Sequence, residues 1–130
     1  MDKNLQCVSA GICAVCAFLF GRLDGLLYAL IAFMILDYIT GIIVACIQKS
    51  LSSATGFKGI AKKVFILLLV AVGNILDIQV IGGGNVCRAT VIGFYIANEG
   101  ISILENCGKI GLPLPQKLID VLKQLKNKEE

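Results

Sequence analysis

The sequence is divided into four apolar blocks, each about as long as a helix that crosses a bilayer. They cover residues 5–21, 25–47, 64–81 and 86–107. Roughly 20 helical residues cross the hydrocarbon core of a bilayer, with about 17 as the lower limit. The blocks lack the alternating ten-residue pattern of a membrane β-barrel, and the 130-residue chain is 57% hydrophobic. These features predict an all-α integral membrane protein.

The first block permits two interpretations, because it is the shortest of the four. A secretory signal peptide is disfavoured, since the block lacks a convincing cleavage site and its basic region is Lys3 alone. Residues 5–21 would then be either a short span or a helix lying at the membrane interface. We therefore expect four, or alternatively three, short transmembrane helices.

The distribution of basic residues predicts the orientation of these helices. Lys49, Lys58, Lys62 and Lys63 lie in the loop expected between the second and third blocks, and five more lysines follow residue 107. The positive-inside rule places both regions in the cytoplasm. We expect a multi-pass transmembrane domain over residues 1–109 and a cytoplasmic tail over residues 110–130.

The tail has the pattern of a short basic amphipathic helix. Leu118, Leu122 and Leu125 follow one another at helical spacing, with lysines around them, after the helix-breaking stretch GLPLP. Such a helix would lie against the lipid of the inner leaflet. The alternative is a solvated tail.

The sequence offers no pattern typical of catalysis or cofactor binding. It contains no histidine, and Cys13 and Cys16, although spaced as C-x-x-C, belong to an apolar block without polar access. The glycines of IGGGN are not placed between a strand and a helix, as a phosphate-binding loop requires. We expect no enzymatic activity, no cofactor, no metal site and no nucleic-acid partner.

The polar residues of the last block fall within about a 120° sector of one helix face. They are Arg88, Tyr95, Asn98, Glu99, Ser102, Glu105 and Asn106. A charge near the bilayer centre costs at least about 2.5 kcal/mol on insertion scales, so this stripe must meet protein or water. It could line a pore, pack within the monomer or an oligomer, or belong to an amphipathic helix on the membrane surface.

Asp77 and Arg88 are equidistant from the centre of the glycine turn that joins the last two blocks. An antiparallel hairpin would place the two residues at matching depth near the outer interface. We expect them to form an ion pair.

Two carboxylates, those of Asp37 and Glu99, lie near the middle of their own spans, where no basic residue has a matching depth. We expect each to be neutral, or hydrogen-bonded to a group such as Thr40 or Asn98, or in contact with water. Gly41 lies four residues after Asp37 and shares its helix face, so Asp37 should point into a close contact with another helix.

Several of these residues form an ordered set of short motifs. They are DYITG (37–41), a spaced set at Ser52, Gly56, Gly59, Lys62 and Lys63, then Asp77, Arg88, YIANE (95–99), SILEN (102–106) and GLPLP (111–115). The set resembles the toxin secretion and phage lysis holins of Gram-positive bacteria and their phages. The resemblance covers residues 37–125 and adds nothing for the first block.

The resemblance implies a protein of the bacterial cytoplasmic membrane that forms homo-oligomers and opens lesions. Its cargo would be a phage endolysin or a toxin without a signal peptide. Two other functions stay open. The chain could be a small ion- or proton-coupled transporter with Asp37 or Glu99 as the coupling carboxylate, or a regulator that forms no pore, such as an antiholin.

Overall fold

The computed structural model describes residues 2–129, which form five α-helices. These are α1 (Lys3–Phe20), α2 (Gly25–Ile47), α3 (Ser53–Ile75), α4 (Val86–Lys109) and α5 (Gln116–Glu129). The end of α3 widens into a π-helical segment, Leu76–Ile81, and Gly82–Gly84, all at positive φ, make the turn into α4. No strand occurs among the described residues, which confirms the all-α prediction.

Helices α2, α3 and α4 form the centre of the molecule. Helices α2 and α4 run parallel, because Asp24 before α2 contacts Arg88 near the start of α4, and Thr40 contacts Asn106 towards the far ends of both helices. Helix α3, which comes between them in the sequence, runs antiparallel to both. One apolar cluster joins the three helices, and its residues are Leu27, Leu30, Met34, Ile66, Val70 and Ile92.

Helix α3 begins well before the predicted span, and this corrects one expectation. The hydroxyl of Ser52 accepts a hydrogen bond from the Thr55 amide at 3.1 Å, so Ser52 caps the helix. Lys58, Lys62 and Lys63, predicted in a loop, therefore belong to α3, and Lys49 remains in the connection from α2. The α2 boundaries, by contrast, agree with residues 25–47 as predicted.

Three of the helical segments are long and apolar enough to cross a membrane. They are α1, α2 and the continuous stretch Ser53–Ile81. Helix α4 has sufficient length but carries Arg88, Glu99 and Glu105, and it is not among the three. The structure thus supports three candidate spans among residues 2–129, and the fourth stays a prediction.

Helices α3 and α4 approach closely at Gly73. A Cβ atom there would lie 3.1 Å from the backbone N and Cα of Arg88. Only glycine fits this position without displacing the backbone of α4. The contact brings the end of α3 against the first turn of α4 and so positions the polar residues described below.

Helix α5 confirms the predicted amphipathic helix but not its expected surroundings. It folds back along α4, and Leu122 is only 8% exposed, whereas Leu118 is 45% exposed. Part of the apolar face expected to contact lipid is therefore covered by protein.

Candidate functional site

The candidate site is a charged cluster at which α2, α3 and α4 meet. The Lys63 ammonium of α3 donates to the Asp37 carboxylate of α2 at 2.8 Å and to the Glu99 carboxylate of α4 at 2.9 Å. The three side chains are 16%, 15% and 8% exposed, respectively. One cation therefore joins all three central helices, and each of the three side chains is less than one fifth exposed.

The expectation that Asp37 and Glu99 lack a basic neighbour is wrong. Lys63 reaches them because α3 extends beyond the apolar block and carries the lysine along the inside of the bundle. The aliphatic part of a lysine side chain also lets the ammonium lie at some distance from its own Cα. Both carboxylates contact Lys63 and also line the cavity described below.

Asn106 extends the cluster towards the end of α4. Its amide nitrogen donates to the Thr40 hydroxyl at 2.9 Å and lies 3.3 Å from an Asp37 carboxylate oxygen. Gly41 faces the same asparagine, since a Cβ there would be 3.8 Å from the Asn106 nitrogen. This confirms that Asp37 points into a close helix contact, between α2 and α4.

An open cavity of about 480 Å³ borders the cluster. The cavity lies among α2, α3 and α4 and is lined by both carboxylates, Lys63 and a set of further polar side chains. That set comprises Tyr38, Thr55, Lys62, Tyr95, Asn98 and Ser102. The cluster is thus open to solvent-sized molecules on one side and enclosed by apolar helices on the other.

A second polar cluster surrounds Arg88, which is 2% exposed. Its guanidinium binds both carboxylate oxygens of Asp24, at 2.8 and 3.2 Å. It also donates to the carbonyl oxygens of Phe20 and Arg22, each at 2.7 Å. Arg88 therefore ties the α1–α2 connection to the start of α4.

The prediction that Asp77 and Arg88 form an ion pair is wrong. The two residues lie close together in space, but their charged groups bind other partners. The Asp77 carboxylate accepts hydrogen bonds from the backbone amides of Cys87 and Arg88, both at 2.9 Å. These amides begin α4 and lack partners within the helix, which makes them good donors to a carboxylate. The Arg88 guanidinium, turned away, pairs with Asp24 instead.

Asp24 lies outside the apolar helices, where it combines two roles. It accepts a hydrogen bond from the Leu27 amide at the start of α2 and pairs with Arg88. The hydrogen bond from Arg88 holds the pKa of the Asp24 carboxyl below its usual value. Sequence analysis missed this residue because it lies between two apolar blocks.

The polar stripe of α4 is divided among different surroundings. Arg88, Glu99 and Asn106 are buried by their contacts with other parts of the chain. Tyr95, Asn98 and Ser102 line the cavity, and Glu105 is exposed. Packing within the monomer thus accounts for the most buried members of the stripe.

The described residues contain no cluster of three or more histidine, cysteine or acidic side chains suited to a metal ion. All six cysteines have free thiols. The arrangement provides paired charges and hydrogen-bonded polar contacts between apolar helices.

Three helical segments that are long and apolar enough to cross a membrane, joined by internal polar clusters, indicate the class of α-helical membrane proteins. Within that class, residues 14–127 match the model of the bacteriophage holin family. The chain belongs to this family.

Similar proteins occur in clostridia, in Listeria and in a phage. A 14.9 kDa protein from the nagH 3′ region of Clostridium perfringens is 47% identical over 85% of this chain and 84% of its own length. A Listeria monocytogenes protein is 44% identical over 94% of this chain and 86% of its own. A protein of Bacillus phage phi105, named a probable holin, is 40% identical over 82% and 77%. No solved structure matches the chain.

Replacing Lys63 by methionine should destabilise the protein, because the buried Glu99 carboxylate and the partly buried Asp37 carboxylate would face each other without a cation. Removal of one partner from a buried ion pair costs about 3–5 kcal/mol. Lys62→Met, at the exposed neighbouring position, should have little effect. Thermal unfolding in detergent measures the stability of both variants. Adding Asp37→Asn and Glu99→Gln to Lys63→Met should recover part of the lost stability. Equal stability of Lys62→Met and Lys63→Met would contradict the role of the cluster.

Asp24→Asn should destabilise the protein at neutral pH, and the difference from the unmodified chain should shrink below about pH 4. A lowered pKa means that the carboxylate stabilises the fold above its ordinary pKa of about 3.9, and that this stabilisation is lost as the pH falls through the lowered value. Asp2→Asn is the control, since Asp2 is exposed and its side chain caps no amide. Unfolding followed by circular dichroism between pH 2 and pH 7 measures the effect, and a constant difference across that range would contradict it.

Proposed function

We propose that the protein is a holin that oligomerises in the bacterial cytoplasmic membrane and forms lesions there. The lesions would release a phage endolysin or a toxin without a signal peptide. Family membership supports this function, as does the name of the phage phi105 relative, a probable holin. Membrane lipid and further copies of the chain would be its partners.

The observation that carries the proposal is the pairing of polar groups inside a bundle with an apolar exterior. Lys63, Asp37 and Glu99 satisfy one another between the central helices, while large apolar side chains of α1, α2 and α3 are exposed. Such a chain can reside in lipid without opening a water path. The same polar groups and their cavity can face water if the central helices separate.

This geometry gives less support to a transporter function than to a holin function. A coupling carboxylate must exchange its ion or proton during each cycle, but Asp37 and Glu99 are both engaged by one lysine of the same chain. A regulator without a pore would share the fold. It is distinguished by its effect on cells.

Induced expression with a co-expressed endolysin lacking a signal peptide tests the function. After a delay we expect an abrupt loss of viability and a fall in culture turbidity, because the endolysin reaches the cell wall through the lesions. Endolysin alone is the control and should leave turbidity unchanged. Continued growth, with the protein present in the membrane and the endolysin retained in the cells, would refute the holin function.

In the proposed topology all four long helices span the membrane, and the α2–α3 connection and the C-terminus face the cytoplasm. In a variant with the six cysteines replaced, single cysteines introduced at Thr55 and Asn127 should resist an impermeant thiol reagent on intact cells. A cysteine at Gly84 should react. All three cysteines should react in permeabilised cells. Labelling at position 55 on intact cells would show that the topology is the inverse of the proposed one.

A further inference from the structure

Helix α5 runs back along α4 in the opposite direction. A Cβ atom on Gly100 would lie 2.9 Å from Cδ2 of Leu122, so this glycine provides the space that Leu122 occupies. Further along α5, the Lys126 ammonium lies 6.0 Å from the centroid of the Phe94 ring. Residue numbers therefore rise along α5 as they fall along α4, and α5 lies beside the body of α4.

Helix α4 lies at the same depth as α2, because the two helices are in contact towards both ends. Asp24 binds Arg88 at one end, and Thr40 binds Asn106 towards the other. Helix α2 is long and apolar enough to cross a membrane. When α2 spans the bilayer, α4 and the part of α5 beside it therefore lie within the bilayer as well.

The contacts of α5 give its depth along α4. At about 1.5 Å per residue, Phe94 is roughly 12 Å along the helix from Val86, and Gly100 is roughly 21 Å from it. The hydrocarbon core of a bilayer is about 30 Å thick. With Val86 at the outer boundary of the core, Lys126 lies near its middle and Leu122 in its inner half.

The face of α5 that points away from α4 is mostly polar. Leu118 and Val121 are exposed, but most of the exposed side chains of this helix are charged or carry an amide. These polar residues are Lys117, Asp120, Lys123, Gln124, Asn127 and Lys128. Charged side chains at bilayer depth are costly in lipid, so this face requires water or a polar protein surface.

Two observations favour water over a second copy of the chain. Three of the four exposed charged residues of α5 are lysines, so two such faces would repel each other. The other sides of the molecule, formed by α1, α2 and α3, expose large apolar side chains, which would leave the charges of α5 without partners. The molecule thus has an apolar side suited to lipid and a charged side suited to water.

We propose that α5, docked on α4, lies within the bilayer and lines the water-filled interior of the lesion. The apolar side of each copy then faces lipid. Before the lesion opens, the water beside α5 is continuous with the cytoplasm alone, so the C-terminus keeps its proposed side. This inference rests on the proposed function, because it assigns the surface that meets water in the oligomer.

A wall formed by α5 has a predictable ion preference. Lysines outnumber the single aspartate among its exposed charged residues, and rings of basic side chains favour anions in a pore. Small lesions of the unmodified chain in a planar bilayer should therefore pass chloride more readily than potassium.

Reversal potentials across a gradient of potassium chloride show which charges the permeating ions meet. Lys123→Glu combined with Lys128→Glu should shift the reversal potential and change the preference from chloride to potassium. Lys49→Glu combined with Lys58→Glu is the matched control, because it makes the same charge change at exposed residues outside α5. The control variant should keep the preference for chloride.

Equal reversal potentials of the unmodified chain and the α5 variant would overturn the inference. An equally large shift in the control variant would also overturn it, because the effect would then come from the general surface charge. Conductance that ignores the α5 charges would leave the proposed function standing. An unmodified chain that gives neither conductance nor lysis would refute the proposed function, and this inference with it.

A disulfide lock tests whether α5 stays on α4 in the lesion. In the cysteine-free background, Gly100→Cys is combined with Leu122→Cys, and oxidation in membranes should join the two thiols within one chain. Loss of labelling by a maleimide measures the link. Gly100→Cys with Val121→Cys is the control and should form no such link, because Val121 is 52% exposed.

The locked protein should keep at least half of the conductance and lysis that it shows after reduction. Oxidation that abolishes both, with recovery on reduction, would show that α5 must leave α4 and would overturn the inference. Failure of the lock to form in a protein that still lyses cells would overturn it as well, because α5 would then lie elsewhere.

Discussion

The structure depends on one ammonium group shared by two carboxylates. Lys63 is the only described cation in contact with Asp37 and Glu99, and each of the three residues comes from a different central helix. An unpaired charge in such surroundings is costly, whereas each pairing fixes the distance between two helices. Displacing any one of the three helices would therefore leave a charge without its partner.

The Arg88 cluster lies at one end of the same helices, whereas the Lys63 cluster lies near their middle. Between the two clusters lie Leu30, Val70 and Ile92, each fully buried. Apolar side chains pack in several registers at similar energy, but charged groups with fixed partners do not. We infer that the polar clusters select the register of the bundle, while the apolar layer between them supplies close packing.

The sequence predicted the helical architecture more accurately than the contacts within it. The ends of helix α2 could be predicted because polar residues flank its apolar stretch. The hairpin turn could be predicted because its glycines adopt positive φ. The start of α3 was missed because lysines at a helix end resemble a loop. The Ser52 cap is a signal that could have revealed it.

The errors at the candidate site have a common physical origin. Matching residues by depth put Asp77 beside Arg88, but depth does not say whether a carboxylate binds a guanidinium or the free amides that begin a helix. Depth also omitted Lys63, because the residue was assigned to a loop whereas it lies within α3. The position at which α5 packs on α4 depends on the missing side chain of Gly100. No periodicity within α5 reveals this feature.

The shared lysine also has a consequence for biosynthesis. Asp37 leaves the ribosome before Lys63, and Glu99 follows only after another 36 residues. The α2–α3 hairpin can thus enter the membrane as a unit in which the charges of Asp37 and Lys63 already cancel. When α4 arrives, its glutamate meets a lysine that is already held in place, so the most polar of the three central helices is inserted last, when a partner for its buried charge already exists.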